Sequence, residues 1–433
     1  MNTQRKKKGL LMIAYWFPPM KTVSLRSYFV YSVLKKQLRT VKVLTTDNSS
    51  RLAQEEMPLD KADLYGLKTY DYRRFLQSKQ QRNNSFTVEE KAKPWKQVIV
   101  KLLNSFPFNL IVGEGGLRYI WDGYHTGKQL LLTGDFDYIF SSYRPYADHA
   151  IGYLLKRKFP KLIWIADCRD VHVEPNVSTV YGVSFQHYCN KKILQHADVV
   201  TTVSEGLAVQ VRRYNPKIYV LRNGFVQLPN QLLDLQPTNK FQIIYTGSLF
   251  FQKRNPLLLL KAIQLLIQDN KITASEMVIK YAGQDGGLWK KWLLQTNTTS
   301  LFEDLGMISR KAALRLQYNA QVNLLLTYNS NKGGGNLTGK FYEYLFAKSP
   351  VLVVINGNFD PEFENISQNL NGVEVAYSDR NEIEKAADFI YMYYCRWKAT
   401  SIAEKVINEA DLEPFQWSNM METFLTKLEN GEI

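Results

Sequence analysis

The sequence predicts an α/β protein built from two consecutive, doubly wound Rossmann-like domains. Three observations carry this. Short apolar runs of strand length alternate with helix-length segments along most of the 433 residues. That alternation is the pattern of parallel strands joined by crossover helices. One polar stretch, QLPNQLLDLQPTNK at 227–240, interrupts it, and the alternation then restarts. The length allows two domains of about 200 residues each. The expected boundaries are residues 1–226, with a basic insertion at about 50–134, then 240–400, then a C-terminal segment at 401–433. Sheets of this kind bind ligands at the carboxyl ends of their strands, so two such domains facing each other make a central cleft and the strand-end loops hold the chemistry.

The elements follow in order. GLLMIAYWF (9–17) is continuously apolar, as a strand buried on both faces is. A helical segment at 24–37 leads to a second strand, VKVLTT (41–46). Residues 50–134 read as less regular and basic. Alternation resumes with YIFSS (138–142), a helix at 146–157, LIWIAD (162–167), a helix near 184–195, DVVTTVS (198–204), a helix to Arg213, and IYVLRNG (218–224). In the second half, strands fall at FQIIYTG (241–247), MVIKYAG (277–283), VNLLLTY (322–328), PVLVVI (350–355) and GVEVAY (372–377), with helices between.

Composition narrows the functional classes. Hydrophobic residues make up 45%, so each domain has material for a core. Three scattered cysteines, Cys168, Cys189 and Cys395, give neither a disulfide framework nor a four-ligand zinc site. They fit a reducing, cytoplasmic setting. RKKKGLLMIAYWFPPM is basic and then apolar, like a secretion leader, but its apolar run is short and ends in Pro-Pro, so a buried first strand is the better reading. No run reaches the roughly 18 apolar residues of a membrane span. The net charge of +15 points to an acidic partner: a phosphorylated ligand, an anionic membrane surface or nucleic acid. No nucleic-acid recognition motif is present, and two α/β domains suit that partner poorly.

NKGGGNLTGKFYEYLFAKSPVL (331–352) contains G-x-x-x-x-G-K from Gly334 to Lys340, most of a phosphate loop. The next residue is Phe341, where such a loop needs Ser or Thr for magnesium, so an NTPase is not expected. A helix start after the glycines still offers N–H groups to an anion. Asp-Phe-Asp at 135–137 precedes a strand and reads as its polar lead-in rather than as a metal pair. The five histidines lie between 125 and 196 without metal-ligand spacing, so no metal site is expected.

YWFPP (15–19) followed by Arg26, FDYIFSSYRPYADHAIGYLLKRKFPKLIWIADCRD (136–170), ADVVTTVSEGLA (197–208), VLRNGF (220–225), IYTGSLFFQKRNPLLLLKAI (244–263), GMISRKAALRLQYNAQVNLLL (306–326) and LTGKFYEYLFAKSPVL (337–352) stand in one order and spacing. In that order they resemble the retaining glycosyltransferases of family 4, of the bacterial polysaccharide and glycolipid type. The resemblance implies the GT-B fold, with an acceptor-binding N-terminal domain, a nucleotide-sugar-binding C-terminal domain, and a last segment that crosses back to the first. FQWSNMMETFLTKL (415–428) supplies an apolar helical face for that crossing. Three positions depart from the family pattern. Of its paired glutamates Glu343 fits the second, but Gly335 stands at the first; the loop PMKTVSL lacks the usual glycines; and Ser248 replaces an arginine, with Lys253 and Arg254 close behind.

Transfer from a nucleotide sugar expels a nucleoside diphosphate, so charge builds on the leaving group. Cationic side chains and helix N-termini stabilise it without a metal or other cofactor. Arg254, Lys253 and Lys340 are the candidates for that charge, the resemblance puts Glu343 on the ribose hydroxyls, and Gly247, Gly335 and Thr338 complete the expected donor-binding set. His149, Asp170 and Arg144, near strand ends of the first domain, are the candidates at the reacting centre. Their alternative readings are a packed histidine, a turn cap paired with Arg169, and a solvated arginine. The rival to catalysis is a protein of the same fold that binds without reacting.

Between Lys68 and Lys101 nine Lys/Arg face three Asp/Glu. Trp95, Val98, Ile99, Leu102, Leu103 and Phe106 follow on one helical face, with Lys96 and Lys101 beside them. Such a helix lies either on an anionic membrane or on the domain's own sheet. The first case makes a saccharide on a polyprenyl carrier the expected acceptor, and places the chain peripherally on the inner face of the cell membrane.

Overall fold

The structure, a computed structural model, describes residues 8–17, 25–47, 59–69, 94–113, 115–173, 179–225, 234–250, 253–329 and 337–433. The glycine run at 333–335, Gly335 included, lies outside them, as do the loop at 18–24 and most of the basic stretch before Pro94. The chain divides into two compact units, residues 1–222 with 420–433, and residues 223–419.

The first unit is built on seven parallel strands in the order β3-β2-β1-β4-β5-β6-β7. They are β1 (Gly9–Ile13), β2 (Thr40–Thr46), β3 (Leu64–Leu67), β4 (Tyr138–Tyr143), β5 (Ile163–Cys168), β6 (Val199–Thr202) and β7 (Ile218–Val220). The strand order reverses beside β1, between β2 and β4, which is where a doubly wound sheet opens a crevice. Both β1 and β4 are buried along their whole length, which explains their unbroken apolar runs.

Residues 50–134 are more ordered than their composition implies. They include β3 and an 18-residue helix, Gly116–Thr133. The helix was hidden by its glycines, which weaken the helical signal. Packing explains them. A Cβ on Gly123 would sit 2.5 Å from Ile151 Cδ1, and one on Gly127 would sit 2.8 Å from Leu155 Cδ1. The glycines therefore let this helix press against its neighbour, Tyr146–Lys158. The final helix, Trp417–Asn430, counts with the first unit from Met420 onward. There Phe424 packs 5.0 Å from the Tyr219 ring, and Glu429 pairs with Lys8 at 3.7 Å.

The second unit has six parallel strands in the order β10-β9-β8-β11-β12-β13. They are β8 (Phe241–Thr246), β9 (Met277–Ala282), β10 (Phe302–Asp304), β11 (Val322–Asn329), β12 (Val351–Gly357) and β13 (Val373–Tyr377). The three-residue β10 is an addition to the expected set; Phe-Glu-Asp carries no strand pattern and is held by pairing with β9. Here the order reverses beside β8, between β9 and β11. No described helix is long and apolar enough to cross a membrane.

Candidate functional site

In the second unit the site forms where β8 ends. Gly247 follows Thr246 with φ +139°, a backbone conformation that side chains rarely allow. A Cβ there would also meet Lys340 Cε at 2.5 Å. Its carbonyl accepts from the Tyr281 hydroxyl at 2.7 Å, and its N–H donates to Ala282 O at 2.8 Å. Glycine at 247 therefore lets the Lys340 stem lie across the strand end.

Lys340 is the second residue of the helix Gly339–Ala347, and its Nζ lies 3.5 Å from Thr246 Oγ1. Burial lowers its pKa, Glu343 opposes that, and Arg254 and Arg310 add to the lowering. Glu343, one turn on and half-buried, receives Arg310 at 2.5 Å and Gln317 Nε2 at 3.5 Å. Burial alone would raise the Glu343 carboxyl; the cations Arg310 and Lys340 reverse this and hold it below its ordinary value. Gln317 Nε2 also donates to Thr246 Oγ1 at 2.9 Å, and the Tyr344 hydroxyl lies 3.2 Å from the same oxygen. Thr338 is the N-cap residue, in extended backbone, yet its side chain caps nothing; its Oγ1 is buried with no hydrogen-bond partner.

Lys253 Nζ reaches the Tyr328 hydroxyl at 3.2 Å and lies 4.6 Å from that ring's centre. Arg254 donates to Ser248 O at 3.4 Å and stacks 5.6 Å over Phe250. Thus Lys340, Glu343, Thr338 and Gly247 come together at one strand end, with Arg254 close enough to act on Lys340. Arg310 and Gln317 were not singled out in the sequence. A signal exists: they are seven residues apart on the helix Arg310–Tyr318, two turns and hence one face, and Ser309 caps its start.

In the first unit the candidates separate. His149 is fully buried, with Ser141 Oγ at 2.8 Å and Cys168 Sγ at 3.6 Å from its two ring nitrogens. Burial lowers its pKa to about 4, so it is a neutral ring packed in the core. Arg144 is exposed just past β4, Asp170 is exposed just past β5, and Arg169 donates to Arg144 O at 3.4 Å. Two buried carboxylates nearby had not been expected. Asp167 is clasped by Arg26 through Nε at 3.1 Å and Nη2 at 2.8 Å, and receives Ser142 at 3.0 Å and Thr201 at 2.8 Å. Burial alone would raise its pKa, but the Arg26 guanidinium holds it below the ordinary range. Arg26 also donates to Leu221 O and Arg222 O, so it ties the helix Leu25–Gln37 to β5 and to the segment after β7. Asp148 accepts the Tyr15 N–H and the Tyr119 hydroxyl, each at 2.8 Å, and burial raises its pKa to about 7. Of the Asp-Phe-Asp pair, Asp135 bonds Arg39 at 2.5 Å and Asp137 accepts Gly9 N–H at 3.3 Å, both structural tasks at the foot of the sheet.

The helix Pro94–Asn104 leaves part of its apolar face open, with Ile99 and Leu103 half-buried. Trp95 is 54% exposed, and Val98 and Leu102 are exposed too, while Phe106 beyond it is buried. Lys101 lies 4.5 Å over the Tyr181 ring.

No protein-family model matches the chain, and no curated protein does. Solved structures do. Sucrose-phosphate synthase from Thermosynechococcus elongatus matches with a TM-score of 0.58 at 12% identity, over 98% of this chain and 100% of that one. A UDP-forming α,α-trehalose-phosphate synthase from Burkholderia xenovorans matches at 0.56 and 13%, over 98% and 99%. The lipopolysaccharide outer core galactosyltransferase WaaB, in its apo form, matches at 0.52 and 10%, over 98% and 99%. At these identities the likeness is one of fold. The fold is GT-B: two Rossmann-like domains carrying parallel sheets of seven and six strands.

Proposed function

We propose that this protein is a glycosyltransferase that moves a sugar from a nucleotide-sugar donor to a saccharide or lipid-linked acceptor, with retention, in cell-surface polysaccharide or glycolipid synthesis. The observation that carries the reading is the start of the helix Gly339–Ala347. A half-buried lysine, an unpartnered Thr338 hydroxyl and a carboxylate one turn on meet the glycine end of β8. A nucleoside diphosphate needs these groups: cations and helix N–H groups for the phosphates, and a carboxylate for the ribose.

In this reading the bond from the sugar's C1 to the diphosphate oxygen breaks as the acceptor oxygen attacks on the same face, and the acceptor proton passes to the departing phosphate. Lys340, Arg254 and Lys253 stabilise the charge that grows on that phosphate, and Glu343 orients the nucleotide. The exposed apolar face around Trp95, with Lys101 beside it, supports a peripheral position on an anionic membrane, from which a polyprenyl-linked acceptor is reached. Membership of family 4 rests on the motif order alone.

A thermal-shift screen of UDP, GDP and ADP tests the donor site. Ligand at 100 times Kd adds about 2.7 kcal/mol of stability. Stabilisation by none of them, together with no hydrolysis of their sugar conjugates, would sink the proposal.

A further inference from the structure

We infer that Lys405 is a positioning residue for the site at the end of β8. It clamps the carboxyl ends of the helices Arg310–Tyr318 and Gly339–Ala347, and so sets how Arg310 and Gln317 on one helix meet Glu343 and Lys340 on the other. Its Nζ donates to Tyr318 O, to Ala347 O at 2.9 Å and to Ser349 Oγ at 2.8 Å. Tyr318 and Ala347 are the last residues of the two helices, so one ammonium serves both terminal carbonyls. Arg310 and Lys340 stand at the opposite ends. Each helix has nine residues, so those starts lie roughly 12 Å from the clamp.

The inference rests on how this ammonium is held. A lysine charge taken out of water is unfavourable unless a counter-ion or full hydrogen bonding compensates it. Lys405 is half-buried and has no carboxylate partner among the described residues; burial and the nearby Lys348 push its pKa down to about 7. Its three N–H donors go to neutral oxygens instead. Two of those oxygens are helix C-termini, where orphan carbonyls and the negative end of the helix dipole favour a cation. The Tyr318 ring, whose centre lies 3.6 Å from Nζ, adds a cation–π contact.

Neighbouring residues complete the clamp. Ser349, fully buried just before β12, has its Oγ 3.3 Å from Tyr318 O and 3.4 Å from Ala347 O. The Val406 N–H donates to Lys348 O at 2.8 Å, which seats the segment carrying Lys405 across the end of Gly339–Ala347. Lys348 in turn pairs with Glu409 at 2.5 Å. On their other side the same two helices meet at the site: Arg310 bonds Glu343 at 2.5 Å, and Gln317 reaches both Glu343 and Thr246. The helices are therefore tied twice, by Lys405 at their carboxyl ends and by Glu343 nearer their starts. Releasing the first tie lets them shift, and the hydrogen bonds of the second weaken steeply as their geometry departs from ideal. The bearing on nucleotide binding rests on the transferase reading proposed above; the clamp does not.

A double-mutant cycle tests the inference on the full chain. Lys405→Met keeps the apolar stem and removes the three donors. UDP, GDP and ADP are titrated by calorimetry, and whichever binds the parent is expected to bind Lys405→Met about 3- to 30-fold more weakly. In an Arg310→Met background the same change is expected to add nothing. Independent sites this far apart add, so a lysine with a merely structural role would not produce that result. A second readout needs no nucleotide: NMR titration of the Glu343 carboxyl, its signal identified by its loss in Glu343→Gln. The parent value lies below 4.5, and Lys405→Met is expected to move it up toward 4.5. Ser349→Ala, which takes one acceptor from the ammonium, shifts both readouts the same way by less, and carries the test if Lys405→Met does not fold. Three results each overturn the inference: an unmoved Glu343 titration, unchanged affinity for a nucleotide that the parent binds, or losses that add in full. If none of the three nucleotides binds the parent, the donor reading fails, and the Glu343 titration alone decides the clamp.

Discussion

Glu343→Gln separates a nucleotide-binding carboxylate from one that only pairs with its neighbours. Glu343 faces Arg310 at 2.5 Å, with the two side chains 20% and 23% exposed. Their pairing is screened accordingly and contributes about 1 kcal/mol or less. In a unit of this size, losing it lowers Tm by roughly 2–4 °C per kcal/mol. Bound nucleotide is a different matter. A carboxylate receiving two ribose hydroxyls makes two charge-assisted bonds; glutamine keeps one neutral acceptor and turns an N–H₂ toward the second hydroxyl. The loss is about 1.5–3 kcal/mol, roughly 10- to 150-fold in Kd. Calorimetric titration of whichever nucleoside diphosphate binds the parent best reads it directly. The same variant tests the electrostatics. Because the folded-state pKa of Glu343 is below its ordinary 4.5, its contribution to stability is complete above that pH and is lost as pH falls through the lowered value. Glu343→Gln therefore flattens the acid limb of the stability curve. Parent-like affinity with that flattened limb means that the carboxylate serves only Arg310 and Lys340, and refutes the ribose role.

Arg26→Ala leaves Asp167 buried beside Ser142 and Thr201 with its guanidinium removed, and is expected to cost about 3–5 kcal/mol in urea unfolding. Asp148 behaves oppositely to Glu343. Its folded pKa is raised from 3.8 to about 7, so the native state holds the extra proton and stability falls as pH rises through that window. Asp148→Asn removes this slope, as guanidinium melts at several pH values will show. Lys101→Glu weakens sedimentation with anionic vesicles by at least the roughly 1 kcal/mol that one surface lysine contributes, and unchanged sedimentation argues that this helix packs on its own domain instead. If donor turnover exists, it is expected to survive EDTA; abolition by EDTA and rescue by manganese would restore a metal to the mechanism.

The sheets were legible because parallel strands are buried on both faces and so spell unbroken apolar runs. β4 and β12 could be read to within two residues at each end for that reason. Where the signal failed, the cause is tertiary. β10 is strand only because β9 pairs with it, and Gly116–Thr133 is helix despite glycines that its neighbour's side chains require. At the site, Lys340 and Glu343 stood in a motif with a helical spacing, so both were visible. Arg310 lies 33 positions from Glu343, and only the fold brings them together. The buried anchors Asp148 and Asp167 are of the same kind. A lone Asp on an apolar run is indistinguishable from a turn residue until its donors, Tyr119 and Arg26, arrive from 29 and 141 positions away.

The glycines show how far one residue type is from one meaning. Gly123 and Gly127 are glycine because a side chain would strike Ile151 and Leu155, and their demand is for close packing of two helices. Gly247 has two separate reasons: a backbone angle that side chains avoid, and a lysine stem occupying the place of its Cβ. Only the second pattern joins a backbone constraint to a charged group at a strand's carboxyl end. Replacing Gly123 with alanine strains a core contact and is felt throughout the first unit. Replacing Gly247 forces the Lys340 stem away from the strand end. The phosphate-loop likeness around Gly334–Lys340 and the glycine after β8 thus single out the same lysine on separate grounds. Among the described residues, the Lys340 stem is accommodated by the glycine 93 positions earlier, across the fold.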